Sequence, residues 1–529
     1  MKKYIILSLM LLAASQFGCQ ENFLEEEVFT FQAPKDYYSN EAEVVAAVNG
    51  IYDALMTWDM WVQPAWICQA LENDDMFALD WVAGGYAGNQ NGQWYIERPW
   101  KGFYQVINRC NIVLDRVTPL DFLADEAKNA VLGQAYFLRG YCYMELGRWF
   151  GDAPIRTKFY DPATDSPDLA RSPLSEVWAL AASDLEQAGG LLPADFSTGY
   201  FTDADRGRPT APSAWGLLAK LQMHRAGAEL GETQHYADAI AAAEQVKTMA
   251  ASGFPALAAN YMDNYDQATQ DMSDEILFSI QATQAPNEGP ELPRYYVPGN
   301  TPYAGGGGIG AIMLREDFYD TFEDGDKRVE FGPALFDAWT DLTGTQFYNF
   351  RTLPSSVVNI LTENVVDNGF GRTGNNTYLL MDGTEVRGTP SIFIKKYIDP
   401  NSQVKDENGS NPIMLRYADV LLLLAEAENE VNGPTEKAYT ALNEVRTRAG
   451  LANLTDGLSQ EDFRQAVRNE RRHELYAEFQ RRWDLRRWGI WLETMNAANR
   501  SRLAYQKLYP ISSEEIAANA LINENNPGW

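Results

Sequence analysis

IMLRYADVLLLLAEAENEVNGPTEKAYTALNEVRTRAG, residues 413–450, decides the fold class. Leu415, Ala418, Leu422 and Ala425 recur at the three- and four-residue spacing of one helical face, so the first half is expected to be a helix. Asn432 and Gly433 form a C-terminal stop, and Ala438, Leu442 and Val445 define a second helix that runs to Gly450. Two such helices joined by a tight turn, with Ala where backbones approach, make a pair whose apolar face must be buried on a neighbouring pair.

The same pattern returns upstream. Pro212–Ala251 carries Trp215, Leu218 and Ala219 on a first helix and Tyr236, Ala239, Ala243 and Val246 on a second. Val131–Trp149 joins Leu174–Leu191 as a third pair. Period and small-residue positions predict tetratricopeptide-like packing. Further helices are expected over Glu41–Trp58, Trp100–Val117 and Asp125–Phe150, with Trp100 and Trp149 in the core. Between about 255 and 410 the texture changes to turns, aromatics and short β-type runs such as Glu275–Ile280 and Ser391–Tyr397. The predicted fold is mostly α: helix pairs form a helical body over about 41–254 and 411–497, and 255–410 forms a loop-rich irregular lobe with a few short strands. The whole of 41–529 is read as one body.

From Ser459 to Ala497 helix is expected again, with Arg468, Arg471, Arg472, Arg481, Arg482, Arg486 and Arg487 interleaved with Glu470, Glu474, Glu478 and Asp484. Glu478 and Arg482 stand at i, i+4, as do Phe479 and Trp483, so the run reads as ion-pair lacing over an aromatic seam. His473, within it, reads as a helix-surface residue.

The charge excludes one large class of partners. Lys and Arg number 43 against 73 Asp and Glu, a formal charge of −30, which repels a phosphate backbone unless a basic patch is segregated, and no such patch appears. Hydrophobic content of 45% with 22% charged residues excludes a disordered chain. Aromatics make up 12% of the chain, more than the core needs, so some are expected on the surface.

Met1-Lys2-Lys3 followed by the apolar run Tyr4–Ala14 has the proportions of a secretory signal and is too short to span a bilayer. Gly18-Cys19 then resembles a bacterial lipobox, although Gln16 replaces the usual Leu. Residues 1–18 are read as a lipoprotein signal peptide, Cys19 as the acylated first residue, and 19–40 as a tether that holds the body to a membrane.

Other site chemistries are weak. Cys68, Cys110 and Cys142 have no CxxC spacing, and Cys110 and Cys142 read as buried small hydrophobes. Three scattered histidines make poor metal or triad partners. Residues 305–310 contain a formal GxGxxG, but no strand leads into it. Asp74-Asp75 and Asp324-Gly-Asp326 complete no calcium loop and read as surface turns. No cofactor or metal is expected.

Several separated stretches resemble the SusD/RagB-like outer-membrane lipoproteins of Bacteroidetes. They are Cys19 followed by Phe23-Leu24-Glu25; Arg139-Gly-Tyr-Cys-Tyr143 with Arg148-Trp-Phe-Gly-Asp-Ala-Pro154; Leu415–Ala427 continuing to Asn443–Gly450; Glu470-Arg-Arg-His-Glu-Leu-Tyr476 with Arg481-Arg-Trp-Asp-Leu-Arg-Arg-Trp488; and the tail Leu508–Ile511 and Asn525–Trp529. The resemblance covers essentially the whole chain, with few matches between 255 and 410. It implies a surface-exposed outer-membrane lipoprotein with tetratricopeptide-like repeats that docks on a SusC-like TonB-dependent transporter and captures glycans for import. These motifs are architectural and do not name the sugar.

Sugars lay their C–H faces on aromatic rings while amides and carboxylates take the hydroxyls, each good ring contributing about 1 kcal/mol beyond area. Residues 81–95 fit this chemistry: Trp81, Tyr86, Trp94 and Tyr95 alternate with glycines around Asn89-Gln90-Asn91, a segment unable to hold a regular helix. Residues 286–310 form a second candidate, with Tyr295, Tyr296 and Tyr303 among Pro and Gly. The expected ligand-binding residues are therefore Trp81, Tyr86, Asn89, Trp94, Tyr295, Tyr296 and Tyr303, and no catalytic residue is assigned. Two other classes compete with a non-catalytic glycan-binding protein. A glycoside-acting enzyme needs a carboxylate pair that 73 acids neither reveal nor exclude. A helical-repeat scaffold binding peptides would use its concave face instead.

Overall fold

A computed structural model describes residues 37–78, 94–161, 163–197, 199–285, 288–297, 308–328 and 408–529, and between 333 and 397 the strands given below with Lys396 and Tyr397. It is mostly helical. The longer helices are α1 (Glu41–Asp53), α2 (Pro64–Leu71), α3 (Trp94–Val117), α4 (Asp125–Phe150), α5 (Leu174–Leu191), α6 (Ala211–Ala226) and α7 (His235–Ala250). After the lobe come α8 (Tyr417–Asn432), α9 (Glu436–Arg448), α10 (Gln460–Glu474) and α11 (Arg481–Arg487).

Consecutive helices pack in series from α3 through α7, α7 then meets α8, and α8 packs on α9 and α10. Small residues set the close approaches, as the sequence pattern requires: a Cβ on Gly140 would stand 3.1 Å from the carbonyl of Ala181, and one on Gly216 would stand 2.9 Å from Val420. The stop at Asn432-Gly433 is realised as expected, with Gly433 at φ +78° and its N–H donated to Asn429 at 3.0 Å. Thr435 caps α9, and Ser459 caps α10. Trp100 and Trp149 are core residues, and Trp149 packs on Phe103, Trp483 and Tyr509. Cys68, Cys110 and Cys142 are buried free thiols.

The strands gather in small antiparallel sheets. The largest has the order β1 (Met76–Ala78), β3 (Ile312–Leu314), β11 (Pro390–Ile394), β4 (Pro333–Trp339), β5 (Gln346–Tyr348). β10 (Glu385–Gly388), β9 (Asn376–Leu380) and β6 (Val357–Thr362) form a second, and β7 (Val366–Asp367) pairs with β8 (Arg372–Thr373). β12 (Ile413–Arg416) pairs with β2 (Ile276–Ser279) and so ties the lobe to the start of α8. The expected strand at 391–397 stops at Ile394, and Tyr397 takes φ +65°.

The arginine-rich stretch departs from expectation. It is not one helix: α10 ends at Glu474, α11 begins at Arg481, and Ala477 and Phe479 between them adopt φ of +59° and +64°. The arginines are ion-paired, but few of the pairs run along the stretch itself. Arg471, Arg482, Arg486 and Arg487 are buried; besides Asp484, which meets Arg471 and Arg487 within the stretch, their acidic partners Asp419, Glu72, Glu229 and Glu426 come from distant elements. Glu478 meets Arg416 at 2.7 Å and Lys396 at 2.6 Å, while Arg482 meets Glu72 at 3.0 Å, so the expected Glu478–Arg482 pair gives way to two others. Phe479 packs on Trp61 and Tyr397. His473 is likewise buried, its Nε2 2.8 Å from the Thr321 hydroxyl and its ring 4.4 Å from that of Phe322.

Beneath this turn lies a cluster of buried charges. Arg416 donates to Glu275, Glu474 and Glu478, and Arg328 donates to Asp326, Glu470 and Glu474. Burial alone would raise the Glu474 carboxyl, yet Arg448, Arg416 and Arg328 hold it far below the usual carboxylate range. Asp326 is thus a buried ion-pair partner rather than a surface turn, although Asp324 is exposed.

Candidate functional site

The two candidate loops spring from one frame. The chain leaves β1 at Ala78 for the first loop and returns at Trp94 into α3. It enters the second from the short helix Leu292–Tyr296 and Val297, and returns through residues 308–311 into β3. β1 and β3 are antiparallel neighbours, with Ala78 paired to Ile312. One edge of the sheet therefore carries the exit of the first loop beside the return of the second.

Local bonds lock the second stem. Gln63 Nε2 donates to Glu291 at 2.5 Å and to the Tyr295 hydroxyl at 3.2 Å, while the Glu291 N–H reaches the Val62 carbonyl at 3.0 Å. The Ala311 N–H returns to the Tyr295 carbonyl at 2.9 Å, and the Trp66 ring packs edge-on against Tyr295. The first stem is an Asx turn: Asn73 Oδ1 accepts from the N–H groups of Asp75 and Met76 at 2.9 and 3.1 Å.

Around that turn the acids 72–75 meet the arginine-rich stretch. Arg481 forks onto both carboxylate oxygens of Asp74, Arg472 reaches Asp75, and Glu72 accepts from Arg482 and from Arg502. Asp74-Asp75, expected as a surface turn, is therefore buried and ion-paired, because four guanidinium groups satisfy the acids on either side of the Asx turn. Burial pushes the Asp74 carboxyl up, but Arg481 and Arg472 overcome it and hold the group at about 2. Asp75 moves the other way, raised by burial and by the charge of Asp74. A stem fixed this way loses little freedom when its loop engages a ligand.

The predicted site residues fall in three groups. Cys19, Trp81, Tyr86, Asn89 and Tyr303 lie outside the described residues, as do residues 305–307 of the glycine run. Trp94 is the first residue of α3, which starts six positions before the expected Trp100; its side chain is also outside the described residues. Tyr295 and Tyr296 require a correction. They stand on a helical turn whose side chains point into the body, at 6% and 0% exposure, so neither ring offers a face to a ligand. A Pro-opened turn docked against Trp66 is core packing, which a loop-like composition conceals.

The supporting frame was absent from the sequence-based expectation. Its signal was the acidic stretch Glu72-Asn-Asp-Asp75 just before an aromatic loop, matched in sign by the arginines of 472–502.

Comparison with known proteins finds relatives along nearly the whole chain. A family model described as the SusD family matches residues 274–529, and one described as starch-binding associating with outer membrane matches 22–223. SusD-like protein P25 of Formosa agariphila is 26% identical, with 99% of each chain covered. The solved structure of a SusD homolog from Bacteroides thetaiotaomicron superposes with a TM-score of 0.74 at 24% identity, covering 94% of this chain and 98% of that one. A laminarin-binding SusD-like protein has a TM-score of 0.67 at 20% identity, covering 93% of this chain and 100% of its own.

Proposed function

The chain belongs to the SusD/RagB-like family, and from that membership we propose that it is a non-catalytic, surface-exposed glycan-binding lipoprotein of the outer membrane. Cys19 carries the lipid anchor, and the body captures an oligosaccharide or polysaccharide and passes it to a SusC-like TonB-dependent transporter. The observation that carries the reading is the pairing of Ala78 with Ile312, which sets the stems of two Gly-rich aromatic loops side by side on a frame tied down by ion pairs. Trp81, Tyr86, Asn89, Trp94 and Tyr303 are the proposed contacts, with rings taking sugar faces and the amide taking hydroxyls. Tyr295 and Tyr296 support the loop from below. The name of the laminarin-binding relative and the starch-binding description of the family model favour a glucan among possible ligands.

The test is a glycan array followed by calorimetry on the processed chain with Cys19→Ala. Saturable binding of a glycan that is recovered intact is the expected result. Absence of binding across the array, or shortened products that vanish with one Asp or Glu substitution, would overturn the reading.

A further inference from the structure

A second groove runs along α3, beyond the loops. Trp100, Tyr104, Ile107, Asn108 and Asn111 recur at the spacing of one helical face and form its floor. Its walls are Arg156, Tyr160 and Pro167 on one side and Ser512, Glu514, Glu515 and Ala518, from the C-terminal part of the chain, on the other. The open groove holds about 390 Å³, within the roughly 300–1,000 Å³ of small-molecule sites.

The walls are held before any ligand arrives. Asn108 exchanges two hydrogen bonds with the backbone of Tyr160, at 3.2 and 2.9 Å. Asn111 donates to the carbonyls of Arg156 and Lys158 at 3.0 Å each, and the Tyr104 hydroxyl donates to the Pro154 carbonyl at 2.7 Å. On the other wall the Trp100 indole N–H reaches Glu515 at 3.3 Å. Tyr104 and Tyr160 are half-buried and still present surface; the Tyr104 ring is held by its hydroxyl, and the Arg156 guanidinium lies 4.9 Å over the Tyr160 ring. Gln105 and Glu514 stand exposed at the mouth.

We infer that this groove is a second saccharide subsite, which binds a part of the same glycan chain that lies beyond the loops. The chemistry selects the class. Half-buried rings with an amide, a guanidinium and carboxylates of opposite sign around them suit an uncharged, hydroxyl-rich ligand, which needs both donors and acceptors beside an apolar face. The placement selects the length. At about 1.5 Å per residue, Trp100 lies about 9 Å and Asn108 about 21 Å along the helix from Trp94, so a long oligosaccharide engages loop and groove together and gains avidity that a short one lacks. The inference rests on the glycan-binding reading above.

The test uses oligosaccharides prepared from laminarin and from starch, with short and long fractions kept apart, and hydrogen exchange on the processed chain with Cys19→Ala. Long fractions are expected to protect 100–111, 156–160 and 512–518 as well as the two loops. Tyr160→Ala and Gln105→Trp, the second filling the mouth from an exposed position, should each weaken the long fraction by about five- to tenfold and leave the short fraction unchanged. Protection confined to the loops, or equal affinity of both variants and the parent for the long fraction, overturns the groove and leaves the glycan-binding reading intact. Protection nowhere overturns both.

Discussion

Arg481 closes a two-pronged bond on Asp74, Nε and Nη2 donating to separate carboxylate oxygens at 2.7 and 2.8 Å across 407 residues of chain. The fork joins the start of α11 to the stem of the first candidate loop. Both groups are largely withdrawn from solvent, and Arg472 adds a second contact to Asp74 at 3.2 Å. Losing one partner of such a pair strands the other charge. Arg481→Ala should therefore cost about 3 kcal/mol in urea or guanidinium unfolding, and Arg481→Lys should restore only part of it, because an ammonium cannot fork. An alanine variant as stable as the parent would show that the pair contributes nothing.

Acid should weaken the fold through His473. Burial first, then the charges of Arg328, Arg472, Arg446 and Arg481, pushes this imidazole from 6.5 down to about 3. Between those values the unfolded chain takes up a proton that the native protein refuses, so stability is lost as pH falls. At most about 1.4 kcal/mol per pH unit is involved, or about 2–3 kcal/mol between pH 6 and 4. Asp74 adds to the loss at lower pH, from its ordinary 3.8 toward 2, while Asp75, raised by burial, opposes it. Denaturant titrations across this range should show the slope, and His473→Gln should flatten its upper part. An unchanged slope in that variant would reject the assignment.

The helix pairs were readable in the sequence because their information is local. Ala418, Leu422 and Ala425 face one way whatever else the chain does, and Gly433 marks the end by its own conformational freedom. The arginine stretch was misread for the opposite reason. Its i, i+4 pairs presume an unbroken helix, and the left-handed Ala477 and Phe479 re-aim Glu478 toward Arg416 and Lys396. Arg482 finds its partner, Glu72, 410 residues away, a separation no local pattern encodes. Periodicity also cannot tell a buried charge from a solvated one, so Asp74, Asp75 and His473 all looked exposed. Tyr295 and Tyr296 failed through composition: Pro and Gly on either side suggested a loop where the chain makes a docked helical turn.

Close packing between α4 and α5 supplies a test of the repeat architecture. A Cβ on Gly147 would stand 2.7 Å from Leu174 and would collide with the indole nitrogen of Trp178, which donates to the Met144 carbonyl at 3.2 Å. Gly147→Ala should therefore destabilise by about 2–3 kcal/mol. Gly50, inside α1 with nothing within 4 Å of its Cβ position, should respond oppositely, Gly50→Ala gaining about 0.5–1 kcal/mol. Thermal melts of the two variants shifting the same way would contradict the packing.

Anchorage should depend on one atom. With Cys19→Ala the processed chain has no thiol at the acylation position, so it should leave the membrane fraction and lose label from a radioactive fatty acid. Equal membrane retention of the variant would remove Cys19 from this role.

The division between ring platforms and core rings yields the sharpest contrast. Trp81 lies in the Gly-rich sequence three residues beyond β1, whereas Tyr296 is fully buried beneath the frame. If Trp81 stacks on sugar, Trp81→Ala should weaken glycan affinity by about 5- to 30-fold, the equivalent of 1–2 kcal/mol, with little change in the melting temperature. Tyr296→Ala removes a packed ring and leaves a cavity, so it should cost about 3–5 kcal/mol of folding stability. Its effect on affinity at a temperature where the variant remains folded should be the smaller of the two, since the ring has no exposed face. Calorimetric titration beside thermal melts separates the cases, and a Trp81→Ala protein that melts early but binds as the parent does would exchange the two roles.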